Sequence, residues 1–176
     1  MKALPLALVT LLALTGCNML AVPFTIDLSN SIDPQFKQGS AQLPAGEYEE
    51  VRLFLPDAQG YALPLSGVQG QIVSAQLEVG GSLSHTGSNL PGTLVLEARL
   101  KNNRGQEAVI FSTLWELKNA QAPLQLNHNV ERAALEMLNQ RNATFYIRLT
   151  PKTRLERPIT ISYQINRLIV RGSGRL

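Results

Sequence analysis

The feature that most restricts the fold of this chain is a period of two in its apolar residues, repeated along most of its length. It is cleanest in "TLVLEARLK" (Thr93 to Lys101), where Leu94, Leu96, Ala98 and Leu100 alternate with Val95, Glu97, Arg99 and Lys101. Successive side chains of a strand point to opposite faces, so such a run buries one face and wets the other. The same alternation marks "VPFTIDLS" (Phe24, Ile26, Leu28), "EYEEVRLFLP" (Val51, Leu53, Leu55), "QGQIVSAQLEV" (Val73, Ala75, Leu77, Val79) and "ATFYIRLTP" (Phe145, Ile147, Leu149). "EAVIFSTLWELK" is apolar on both faces and reads as a central strand, and "PLQLN" as a short one.

Between these runs, "NSIDPQFKQGSAQLPAG" and "GGSLSHTGSNLPG" are rich in turn formers and read as loops. "YALPLSG" reads as an edge segment interrupted by Pro64, and "NNRGQ" as a hairpin turn. The last run, "PITISYQINRLIVRG", changes phase, with Ile159, Ile161, Tyr163 and Ile165 on one parity and Leu168 and Val170 on the other. A bulge near Asn166-Arg167 returns them to one face. Only "NVERAALEMLNQRN" has helical spacing, in the stripe Val130, Ala134, Met137 and Leu138. A helix is predicted near 129–141, with Asn127 or Asn129 as N-cap, Glu131 in the first turn and Asn142 closing the end. Many short strands and one late helix predict a mainly β fold: a single antiparallel β-sandwich, immunoglobulin-like or related, over 22–172, with 173–176 as a tail. A curved sheet around the helix, or a small open barrel, is the rival.

The chain has one cysteine, so no internal disulfide supports this core. That cysteine, Cys17, closes a leader: Met1-Lys2, then the apolar "ALPLALVTLLAL". As a helix this run spans roughly 18 Å against a hydrocarbon core of about 30 Å, too short to cross it. It reads as a secretory signal. Leu14-Thr15-Gly16-Cys17 resembles the lipobox of bacterial lipoproteins. The resemblance implies a signal peptide over 1–16, cleavage between Gly16 and Cys17, and lipid attached to the Cys17 thiol. The protein is then expected in the cell envelope, with Asn18 favouring the outer membrane where the cell has two. Each buried CH₂ contributes about 0.8 kcal/mol, so two or three acyl chains anchor stably where one does not. Residues 17–21 leave a tether of only about 15–20 Å, at roughly 3.5 Å per residue.

The formal net charge of +3 is unevenly distributed. From Val22 to Gly80 there are two basic and seven acidic residues; from Thr144 to Leu176 there are seven basic and one acidic. Arg148, Lys152, Arg154, Arg157, Arg167 and Arg171 are the candidate contacts with an anionic surface, of which the anchoring membrane is the nearest. The alternative is that they pair with the acidic N-terminal half. Nucleic acid is not an expected partner, because no aromatic residues interleave with the basic ones.

No nucleophile elbow is present, and Ser84 and His85, being adjacent, point to opposite faces of a strand. His85 and His128 are the only histidines, too few for a zinc site without distant carboxylates. Glu47, Glu49 and Glu50 read as a solvated edge in preference to a weak calcium site. "GVQGQIVSAQ" lacks the Lys-Ser/Thr of a phosphate loop. No metal, cofactor or enzymatic activity is expected. The expected function is that of a membrane-anchored envelope lipoprotein whose sandwich is a non-enzymatic binding or structural domain for an envelope protein or wall polymer. The alternative is a carrier or sensor of lipids or other apolar small molecules, with Val109 to Leu117 lining a cavity beside the helix. A hydrolase requires carboxylates converging in a cleft.

Overall fold

The computed structural model describes residues 21–30, 32–46, 51–86 and 90–175. The leader with Gly16 and Cys17, and the cluster Glu47, Glu49 and Glu50, lie outside these residues. Among the described residues the alternating runs pair into two five-stranded antiparallel sheets. In the first, β5 (Gln71–His85) lies between β8 (Gln121–Asn129) and β10 (Ile159–Arg175). The far edge of β10 is covered by two shorter strands laid end to end. β2 (Gln38–Leu43) pairs with Ile159 to Gln164, and β1 (Ala21–Asp27) with Ile169 to Arg175.

The second sheet repeats this plan. β6 (Thr93–Lys101) lies between β7 (Glu107–Glu116) and β9 (Thr144–Pro151), whose far edge takes β3 (Leu53–Leu55) and β4 (Tyr61–Ala62). With each broken edge counted as one strand, consecutive strands alternate between sheets everywhere but at the β6–β7 hairpin, as in two interlocked Greek keys. The sandwich is therefore a jelly roll, and its strand order is not the immunoglobulin one.

The inner faces pack against each other through large apolar side chains. Leu43, Leu55, Leu83, Leu94, Leu117, Ile147, Leu149 and Ile161 are all fully buried. β6 alternates as expected, and the phase change in β10 is a register shift between Ile165 and Arg167. The two central strands of the first sheet approach most tightly where they carry glycine. A Cβ on Gly81 would meet the Gln164 carbonyl oxygen, and one on Gly172 the Ser74 carbonyl oxygen.

Several elements differ from the sequence expectation. β5 does not stop at Val79 but runs through Gly80-Gly81 to His85, because those glycines fit against β10 where side chains would not. At its start a second register shift, near Ser74, buries Ile72 instead of Val73. "QGSAQL" is strand β2, not loop; only Leu43 is buried in it, so the open edge of β10 decides its conformation. Before it, Pro34–Lys37 forms a single helical turn, α1. Ser173 to Arg175 are not a tail but the end of β10, paired with Ala21 to Pro23. β7 is an edge strand, not a central one.

The late helix, α2 (Arg132–Asn139), buries Ala134, Met137 and Leu138 against β5, β6 and β7. Asn127 and Asn129 belong to β8, so Glu131 stands at the N-cap without a side-chain cap bond. The left-handed residue after the helix is Arg141, not Asn142. The Asn139 side chain accepts from the Ile72 amide at 2.7 Å and donates to the Ile72 carbonyl at 2.8 Å, fixing α2 to the start of β5.

Truncation in this filled interior leaves a cavity. Ile147→Ala is expected to lower unfolding free energy by about 2–5 kcal/mol in urea titration. Val22→Ala, at an exposed site, is expected to change it by less than about 0.5 kcal/mol.

Candidate functional site

The strand order gives the sandwich two chemically different ends. One gathers Ala21, Arg175, Gln71, the β6–β7 turn and the end of α2. The turn is built on Asn102, whose Oδ1 accepts from the amides of Arg104 and Gln106, each at 3.0 Å. Here an apolar cleft of about 420 Å³ lies between Val22, Phe24 and Ile26 of β1 and Pro64 and Val68. The opposite end gathers the β2–β3, β5–β6, β7–β8 and β9–β10 connections. β10 joins the two, and its seventeen residues cover roughly 50 Å at about 3.3 Å per residue.

The loop end holds the larger groove, about 700 Å³, with Leu90, Leu117, Leu155 and Ile159 as its apolar wall and Arg154 and Arg157 on its rim. Its frame is tightly bonded. The Leu117 amide donates to the Gly92 carbonyl at 3.0 Å, the Lys152 amide to the Thr93 carbonyl at 2.8 Å, and Leu155 and Gly46 exchange backbone bonds. His85 is buried beneath, its Nε2 donating to the Leu117 carbonyl at 2.9 Å and its ring 5.4 Å from Trp115. This pair reinforces the β7–β8 turn, where Trp115 Nε1 donates to the Asn119 carbonyl at 3.0 Å.

The six candidate cations do not share one surface. Lys152, Arg154 and Arg157 are exposed in the β9–β10 loop, and Arg154 and Arg157 line the groove. Arg167 and Arg171 lie on the outer face of the first sheet and grip Glu78 at 2.9 and 3.3 Å. Arg148 lies on the outer face of the second sheet. Its Nη2 and Nε stand 2.6 and 2.8 Å from Glu97 Oε2, which Arg99 also approaches at 3.2 Å. Arg148, Arg167 and Arg171 thus pair with acidic side chains of their own sheet faces, and Lys152, Arg154 and Arg157 lie in an exposed loop apart from them. The register distributes them: Arg148 is the one basic residue of β9, and Arg167 and Arg171 stand four positions apart in β10, so each is carried along a sheet face, not gathered.

The Glu97 cluster has a further member that sequence reading did not identify. Tyr146 is buried on the outer face beside it, its ring 5.6 Å from Phe54. Burial, helped by the Glu107 carboxylate, pushes the Tyr146 phenol well above the usual tyrosine range, against the opposing pull of Arg99 and Arg148. Tyr61 and Tyr163 are raised by burial as well. Asp27 is held below its usual value by the Ser29 hydroxyl and amide, and more weakly by Arg167 and Arg171.

Ser84 and His85 point to opposite faces, Ser84 into a row with Ser40 and Ser162 on the outer surface. His128 stacks near Phe111, with ring centroids 4.9 Å apart. Among the described residues no three His, Cys, Asp or Glu side chains converge, and no helix is long and apolar enough to cross a membrane.

No family model and no curated protein matches the chain. Among solved structures, it is similar to the infectious bursal disease virus Gt strain structure, with 13% identity and a TM-score of 0.37. The match covers 89% of this chain and 38% of that one. The VP2 subviral particle of infectious bursal disease virus is similar at 12% identity and a TM-score of 0.32, over 89% and 37% of the respective chains. This chain thus spans less than half the length of the structures it matches. The jelly-roll assignment rests on the strand order of this chain itself.

The two kinds of arginine are separable by stability. Arg148→Ala removes the main partner of a half-buried carboxylate and is expected to cost about 1–3 kcal/mol in urea unfolding. Arg157→Ala is expected to cost less than about 0.5 kcal/mol. The raised phenols set the sign of an alkaline effect. An unfolded tyrosine ionises near 10.0 while the folded Tyr146 still holds its proton. The stabilisation is therefore complete below that pH and is lost progressively as pH rises beyond it toward the raised folded value. Urea titrations from pH 9 upward are expected to show a decline that is smaller in Tyr146→Phe.

Proposed function

We propose that the protein is a membrane-anchored envelope lipoprotein whose sandwich is a non-enzymatic binding domain, held by lipid on Cys17 and presenting its loop end to an envelope protein or wall polymer. The observation that carries this reading is the polarity of the long axis. The chain enters the sandwich at Ala21, paired with Arg175, and the groove with Arg154 and Arg157 lies at the opposite end of β10. A tether of three residues between Cys17 and Ala21 keeps the entry end at the head-group layer. The apolar cleft of Val22, Phe24, Ile26 and Val68 suits that boundary.

In this pose Lys152, Arg154 and Arg157 face away from the anchoring bilayer, so their partner is an anionic or mixed surface elsewhere in the envelope. Glu97 and Glu107 both lie against Arg99 on an open sheet face, each held in an ion pair, not facing one another across a cleft.

Two measurements test the reading. Cys17→Ser is expected to move the protein from the membrane to the soluble fraction; retention after a high-salt wash would refute the lipid anchor. A photocrosslinking residue at position 157 is expected to capture protein or wall polymer in intact cells, and one at position 22 to capture lipid. Capture of lipid at position 157 would refute the orientation.

A further inference from the structure

Four lines of strand end close the two sheets, and they are not equivalent. Along β10 and β9 the edges are broken into pairs of short strands, of seven and six residues and of three and two. β8 carries Pro123, which offers no backbone donor. β7 alone is a ten-residue edge, and its stretch Ala108 to Trp115 contains neither charge nor proline. Natural edges are normally blunted by lysine, proline, bulges or short length. Here the register shift at Ile110 and the packing of α2 against β7 modify the edge, and Phe111 to Trp115 keep an unbroken register with β6.

The same strand carries Val109 and Leu114, 39% and 53% exposed, two of the three exposed large apolar side chains among the described residues. Both project from the outer face of the second sheet, with Ser112 between them and Val95 opposite Leu114. β8 of the facing sheet approaches this side through the Phe111–His128 contact, but no described strand pairs with the outward N–H and C=O groups of β7.

We propose that β7 is an acceptor edge for an extended segment of a partner polypeptide, which adds as a further strand beside Phe111 to Trp115. An alternating row of backbone donors and acceptors is completed by another extended backbone, a pattern that acyl chains and glycans do not offer. The exposed pair Val109 and Leu114 selects a strand with apolar or β-branched residues on the outer face. A second copy of β7 fits less well. Two-fold axes through Ser112, Thr113 or Leu114 keep the faces aligned, and they set Leu114 against Ile110, Ser112 or itself. In each case Val109 faces Trp115 or residues beyond the strand, so the two apolar side chains are not covered together. This inference does not depend on the lipid anchor.

The probe is a fluorescein-labelled alternating peptide, KTVTVTVTK, added to the full chain, with a control in which the central valine is proline. Saturable anisotropy at micromolar protein is expected, with slowed amide exchange confined to β7. Leu114→Lys, at an exposed site that tolerates polarity, is expected to weaken binding about tenfold or more, and the proline peptide not to bind. Absence of binding, equal binding of the proline peptide, or protection outside β7 would overturn the proposal. Self-association of the protein through β7 without peptide would overturn it in favour of a second copy.

Discussion

The pairing of β5 with β10 is the interaction on which the rest of the structure depends. β10 is bordered along its whole length by β5, and its opposite edge supplies the template for both β1 and β2. Neither of those strands buries enough apolar surface to form alone: β1 has no residue fully buried, and β2 has only Leu43. Their conformation is therefore borrowed from β10, whose own straightness requires the close backbone approach at Gly81 and Gly172. The shift between Ile165 and Arg167 then lets Ile159, Ile161 and Ile165 share an interior with Leu168 and Val170.

This dependence explains what could be read locally. β6 was fully legible because all its information is in its own alternation, and the bulge in β10 was legible as a break in phase. β2 was not, since Gln38 to Gln42 have no apolar period and their pairing is imposed from a strand more than a hundred residues later. The second half of β5 was hidden for a related reason. Gly80-Gly81 signals a turn locally, whereas in the sheet the missing side chains permit contact. β7 failed differently: apolar residues on both faces suit a central strand, but here one of those faces is left exposed at the edge.

Charge shows the same limit. Composition places most late cations in one stretch of chain, and sequence proximity suggests one surface. Strand geometry divides them among a loop and two opposite sheet faces, and on each face a carboxylate from a distant strand meets them. Glu78 lies on β5 against Arg167 and Arg171, and Glu97 on β6 against Arg148. Cross-strand register thus decides which arginines are structural and which face outward, information that no local pattern contains.

The long axis gives these assignments a direction. A jelly roll places alternate connections at opposite ends, so the loops that frame the groove are separated from the entry of the chain by the length of β10. The groove and the β7 edge are directed differently on this axis. The groove lies across the top of the sandwich, where a broad surface is met end-on. The β7 edge runs along its side, where a strand is met lengthwise. None of the groove-lining residues belongs to β7, although Leu117 follows directly on its end.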